Sequence, residues 1–280
     1  MRILEPEHLR RIAPGLSGIL IMGFSYVWFG HGSVQAAAAL IGLAAYFEYL
    51  RILVSPENSP RFRTAKICIS LLAAIIFLLP IDRSHIWAFG LLIVFTLAIY
   101  RFKETDPASV KEHRYHLDDL FLSGFGLLYI VGFLAFLPEI HAFPDGYIWV
   151  AGLVVMIWAS DIAAYYGGHT LGRHKLAFVI SPGKTLEGSI CGVMGSIAVA
   201  SVIHARWLPQ IPLPKLIALG FLTSVISQLG DLFESLLKRV VGVKDSGFLL
   251  PGHGGFLDRF DSLILAAPFY YLILKLWIVQ

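Results

Sequence analysis

Long apolar runs, broken by short polar or Pro/Gly-rich stretches, set the pattern of this chain from end to end. Nine runs stand out, near residues 12–29, 34–50, 65–80, 86–100, 119–137, 147–168, 186–205, 214–238 and 261–279. A bilayer-crossing helix needs about 20 mostly apolar residues, and most of the runs meet or approach that length. The strict apolar/polar alternation of a membrane β-barrel is missing. The pattern predicts an all-α polytopic membrane protein of about nine transmembrane helices. The runs at 65–80 and 86–100 are short for spanning. Residues 1–118 would carry helices 1–4 with their cytoplasmic loops and residues 119–280 helices 5–9, all in one integral membrane unit.

The connecting segments give the direction. Of 22 lysines and arginines, 18 lie in the N-terminal segment and in the loops after helices two, four, six and eight. Basic loops stay cytoplasmic, so the N-terminus is expected in the cytoplasm and the C-terminus on the opposite side. Arg10 and Arg11 before the first run, with Ser33-Val-Gln-Ala-Ala37 after it, imitate a signal peptide. Removing that run would leave eight spans with nothing ahead of them to account for Arg10 and Arg11, so it is expected to be retained.

Composition agrees with the pattern: 57% of residues are hydrophobic, 15% are charged, and the mean hydropathy is +0.73. Soluble domains carry about 25% charge. The sequence pI near 8.8 then reports topology and calls for no nucleic-acid partner. Cys68 and Cys191 fall in apolar runs without partner spacing and read as small buried hydrophobes.

Charge inside the spans changes the picture. Glu48, Asp161, Asp231 and Glu234 lie within apolar runs, where each ionised group costs about 2.5–3.5 kcal/mol at the helix centre and so points to function. The derived topology puts all of them toward the cytoplasmic ends of their helices, and Asp258 and Asp261 enter from that same side. Asp231, Glu234, Ser235 and Lys238 follow the spacing of a single helical stripe. The loop beyond it carries Lys244, Gly252, His253, Gly254, Gly255 and Arg259. Glycines let backbone amides approach an anion, Lys and Arg add charge for phosphate, and carboxylates suit a hard cation such as Mg²⁺. Together these parts describe a metal-plus-polyphosphate site open to the cytosol.

Milder roles compete. Asp261 followed by Ser262 is a good helix N-cap. Glu48, two residues from the end of its run, could snorkel to water or pair with Arg51. Glu234 has Lys238 at i,i+4, whereas Asp231 lacks such a local partner. His253 can serve the turn alone, and His113 and His116 fit a solvated loop.

Three stretches carry a resemblance. Ser235-Leu-Leu-Lys-Arg-Val-Val-Gly-Val-Lys244-Asp245, Leu250-Pro-Gly-His-Gly-Gly255 and Leu257-Asp-Arg-Phe-Asp261-Ser262 together resemble the signature of the phosphatidate cytidylyltransferases, or CDP-diglyceride synthases. Ser160-Asp-Ile-Ala-Ala-Tyr-Tyr-Gly167 and Ser181-Pro-Gly-Lys-Thr-Leu-Glu-Gly188 are similar to the same family, with Gly183 and Leu186 where Lys and Trp are usual. The likeness covers 160–262 well and the first half only as a set of spans. It implies transfer of CMP from CTP to phosphatidic acid, giving CDP-diacylglycerol and pyrophosphate, with Mg²⁺ required and K⁺ as a candidate second ion. It also implies that Asp231 and Asp258 hold the metal, with Lys244, Arg259 and Asp261 joining them in catalysis. Asp161, Lys184, Thr185, Glu187, Ser235, Lys238, Arg239, Asp245, Gly252, His253, Gly254 and Gly255 would line the substrate pocket. A homodimer in a bacterial inner membrane, with the site facing the cytosol, completes the expectation.

Two rivals remain in view. A CDP-alcohol phosphatidyltransferase would need an Asp-Gly-x-x-Ala-Arg pattern, which is absent. An ion-coupled secondary transporter could use intramembrane carboxylates, but it predicts broken helices near the midplane and an inverted repeat.

Overall fold

The structure, a computed structural model, describes residues 30–53, 118, 121–247 and 255–279. Six helices in it are long and apolar enough to cross a membrane. They are α1 (His31–Leu53), α2 (Phe121–His141), α3 (Gly146–Leu171), α4 (Leu186–Arg206), α5 (Leu213–Val240) and α6 (Leu257–Ile278). Each matches an expected run to within about a turn at either end. The runs at 12–29, 65–80 and 86–100 lie outside the described residues, as do Cys68, His113 and His116.

The all-α expectation needs one correction. Between α3 and α4 the chain forms a two-stranded antiparallel hairpin, β1 (Lys175–Ala177) and β2 (Ser181–Thr185). Lys175 Nζ donates across it to the Pro182 carbonyl at 2.7 Å. The segment is short, lacks alternating hydrophobicity and contains Pro and Gly, so no strand pattern is visible in its sequence.

Small residues set the helix crossings, as they must where lipid supplies no hydrophobic drive between helices. A side chain at Gly192 on α4 would meet the Ser160 carbonyl of α3, and one at Gly220 on α5 would meet the Ser196 carbonyl of α4, each at 3.0 Å. At Gly230 of α5 a Cβ would lie 2.8 Å from the Asp261 carbonyl of α6. Polar side chains bind the same crossings. Ser160 and Ser224 hydroxyls are 2.7 Å apart, Gln228 Nε2 donates to Ser224 Oγ at 2.9 Å, and Ser189 donates to Gln228. Trp149, Met156, Leu216, Leu219, Ile264 and Tyr270 fill the interior, while Trp158, Ile162, Phe221, Leu229 and Phe269 face outward, as a lipid-contacting surface requires.

The helices alternate in direction, which sorts their ends onto two faces. On one, Tyr46 and Tyr49 near the end of α1 donate to the Ser123 and Leu122 carbonyls at the start of α2. The hairpin, the end of α5 and the start of α6 share that face. On the other, His31 meets His141, and Lys215 Nζ donates to the Trp277 carbonyl at 2.5 Å.

Candidate active site

The acidic and basic side chains singled out in the sequence gather at the face that carries the hairpin. Antiparallel packing of α5 on α6 sets the register: Gly230 abuts Asp261 and Ser262. Two helical turns further along α5, Lys238 reaches Asp258. Lys238 Nζ lies 2.7 Å from Asp258 Oδ1 and 2.6 Å from Glu234 Oε2, which joins the helices through a half-buried cation. Glu234 is 1% exposed and Lys238 supplies its charge partner. The expected i,i+4 pair is present, and Asp258 is added to it. The other oxygen of Asp258, Oδ2, accepts from the backbone N–H groups of Ser246 at 3.0 Å and Gly255 at 2.9 Å.

Further into the bundle, Lys184 on β2 stands 2.5 Å from Asp231 Oδ2. Asp231 also accepts from Ser235 Oγ at 3.5 Å. Asp161 of α3 and Asp261 of α6 both feel the Asp231 carboxylate as a like charge and Lys184 as an opposing one. Carboxylates from α3, α5 and α6 therefore share one electrostatic neighbourhood with Lys184. Such a neighbourhood carries excess negative charge. It suits a hard cation with oxygen ligands in its chemistry, although among the described residues no group of three His, Cys, Asp or Glu side chains converges to hold one.

Two of the milder roles fall. Asp261 lies inside α6, which begins at Leu257, so it caps nothing; it is 8% exposed and accepts from the Ser262 N–H at 2.6 Å. Glu48 does not snorkel. It is 1% exposed, and its Oε2 accepts from Ser246 Oγ at 3.0 Å and the Leu257 N–H at 2.9 Å.

These observations fit what the sequence comparisons find. The model of the cytidylyltransferase family matches residues 10–277. A phosphatidate cytidylyltransferase of Synechocystis is 34% identical over 95% of this chain and 97% of its own. The chain belongs to the cytidylyltransferase family. Another phosphatidate cytidylyltransferase, of Staphylococcus saprophyticus, is 34% identical over 92% of the chain and 90% of its own. One from Bacillus subtilis is 46% identical over 44% of the chain. As a cytidylyltransferase the protein is a nucleotidyl-transferring enzyme, and the transporter reading lapses.

Within this cytidylyltransferase the other expected residues divide. Thr185 uses its hydroxyl to cap α4, accepting from the Gly188 N–H at 3.2 Å. Glu187 braces the hairpin: its Oε2 accepts from the Arg173 N–H at 3.0 Å, and its Oε1 lies 2.6 Å from His174 Nδ1. Arg239 Nε donates to the Ile180 carbonyl at 3.3 Å, fastening the hairpin to α5. Lys244, Asp245 and Arg259 are exposed at the same face. Gly255 is buried beside Ser246 and Glu48; Gly252, His253 and Gly254 lie outside the described residues. Reading the sequence missed Ser246 as an anchor for Asp258 and gave Glu48 to the solvent. Burial of a carboxylate near a run's end leaves no mark in one-dimensional spacing.

Proposed function

We propose that this cytidylyltransferase joins CTP to phosphatidic acid, releasing pyrophosphate and forming CDP-diacylglycerol. The observation that carries the reading is the shared electrostatic neighbourhood of Asp161, Asp231 and Asp261 around the Lys184–Asp231 pair, at the membrane face that also carries the Lys238–Asp258 bridge. A phosphate oxygen of the lipid attacks the α-phosphorus of CTP; the bond from that phosphorus to the bridging oxygen breaks, and pyrophosphate leaves. Both reactants are anions, so the site must reduce their repulsion and hold them in line. Lys184, Lys244, Arg239 and Arg259 present positive charge toward the triphosphate and the lipid phosphate. Lys238 fixes Asp258, and Ser235 steadies Asp231. Asp161, Thr185, Glu187, Asp245 and Gly255 complete the pocket wall, with Gly252, His253 and Gly254, which lie outside the described residues, assigned to it by their motif. The lipid phosphate needs little deprotonation at neutral pH, since the second pKa of a phosphomonoester is about 6. A dedicated general base is unnecessary.

Asp231 and Asp258 would hold Mg²⁺, with Asp161 and Asp261 as neighbouring carboxylates and K⁺ as a second ion. Bound there, the metal would neutralise charge on the triphosphate. The surplus of carboxylates around Lys184 supports this for Asp231, whereas Asp258 is held by Lys238 and the Ser246 and Gly255 N–H groups and would have to exchange one of these partners for the ion.

The same reading puts nine spans in a bacterial inner membrane, N-terminus inside and C-terminus outside, as one unit of 1–118 and 119–280. Supporting it, the end of α1 and the start of α2 share the site face, which fits an even number of crossings in the sequence between them. Arg51, Arg173, Lys175, Lys184, Lys238, Arg239, Lys244 and Arg259 also fall at that face, against Arg206, Lys215 and Lys275 at the other. A homodimer remains part of the proposal. Purified protein given labelled CTP, phosphatidic acid and Mg²⁺ should release pyrophosphate and a CDP-lipid. Failure with phosphatidic acid alongside turnover of another lipid phosphate would replace the substrate.

A further inference from the structure

Glu48 belongs to none of the motifs, yet it reaches the motif-bearing loop from a helix at the far end of the sequence. Its Oε2 takes two hydrogen bonds, from the Ser246 hydroxyl and the Leu257 N–H. Asp258 takes two from the same segment, the Ser246 and Gly255 N–H groups. Ser246 on one side and Gly255–Leu257 on the other are thus each pinned twice, once from α1 and once from α6. The glycines of the loop fit around this carboxylate. A Cβ at Gly247 would run into Glu48 Oε1 and lie 2.7 Å from its Cδ, and one at Gly255 would lie 2.5 Å from Oε2. An acid at 1% exposure in a membrane bundle persists only with strong donors around it, and charge-assisted hydrogen bonds are of that kind.

We infer that Glu48 is a positioning residue, a latch on α1 that holds Ser246 and Leu257 together and thereby orients the Asp258 carboxylate. Gly247 and Gly255 serve the latch by making room for it, which gives Gly255 a role apart from phosphate approach. The inference rests on the reading that Asp258 works in the site.

Hydrogen exchange of the full-length protein in vesicles, followed in peptides covering 246–257, tests the latch without any substrate; turnover of CTP and phosphatidic acid is measured alongside. Glu48→Ala should raise exchange across the loop, and lower turnover, by about tenfold or more, the worth of hydrogen bonds to a charged group. Glu48→Gln should restore most of both, because one carbonyl oxygen can accept from Ser246 and Leu257 together. Gly247→Ala should slow wild-type turnover yet add nothing once Glu48 is Ala, since Glu48 is what its methyl would strike. If Glu48→Ala fails to insert, Gly247→Ala reads the same contact from the other side. Unchanged exchange in Glu48→Ala, a loosened loop with normal turnover, or a Gln variant as impaired as the Ala variant would each overturn the latch. Wild-type protein inactive on these substrates would instead overturn the proposed reaction, with the exchange result still deciding the latch.

Discussion

Lys184 Nζ lies 2.5 Å from Asp231 Oδ2 and so ties the β-hairpin to the middle of the motif-bearing helix α5. Both side chains are partly open, at 26% and 36% exposure, and a pair in that setting contributes at most about 1 kcal/mol to stability. In the proposed reaction its value lies in chemistry. Lys184→Met should lower turnover by about 100-fold, the usual cost of one lost stabilising group in a transition state, and shift unfolding in detergent by no more than about 1 kcal/mol. Paired activity and thermal-unfolding measurements check both halves of the statement.

Lys238 is different because Glu234 is buried. Removing the cation leaves Glu234 as an unpaired acid in the bundle and Asp258 with only its two backbone N–H donors. Lys238→Met should therefore destabilise the protein by about 3 kcal/mol. Adding Glu234→Gln should recover part of that loss, and chemical denaturation of the two variants side by side measures it.

The α5–α6 crossing depends on a missing side chain. With the Asp261 carbonyl 2.8 Å from a Cβ at position 230, Gly230→Ala must push the helices apart. The expected cost is about 1–3 kcal/mol, with a loss of activity as Asp231 and Asp261 separate. Gly183→Ala is the control: a Cβ there meets nothing within 4 Å, and stability should stay within about 0.5 kcal/mol of the parent.

The hairpin tip reports orientation. Val179 is 87% exposed at the site face, and Trp207 is 54% exposed at the other. In a background with Cys68 and Cys191 replaced by Ala, Val179→Cys should react with an impermeant thiol reagent in inside-out vesicles only. Trp207→Cys should react in right-side-out vesicles. The reverse pattern would invert the proposed topology.

The spans and the chemistry were legible for different reasons. A bilayer forces long apolar runs, so α1 to α6 could be read to within about a turn. The gathering of Asp231, Lys238 and Asp258 at one face could be read because charge in such runs is costly and their spacing puts them on one stripe or in one motif. The hairpin was hidden because Lys175–Thr185 has no period of its own and is held by Lys175, Glu187 and Arg239. Glu48 was misjudged for a similar reason. Nearness to the end of α1 suggested water, whereas Ser246 and Leu257, some 200 residues away, enclose it. The capping of α4 by the Thr185 hydroxyl was likewise not read from its motif.

In the proposed reaction, acids from α5 and α6 act together on a divalent cation at the cytosolic face. Mg²⁺-dependent formation of CDP-lipid by Asp231→Asn and Asp258→Asn, each shown to insert and unfold like the parent, decides whether they do. Both variants should lose turnover at every Mg²⁺ concentration tried. Substantial turnover in either variant, with an unchanged Mg²⁺ requirement, would contradict the proposal.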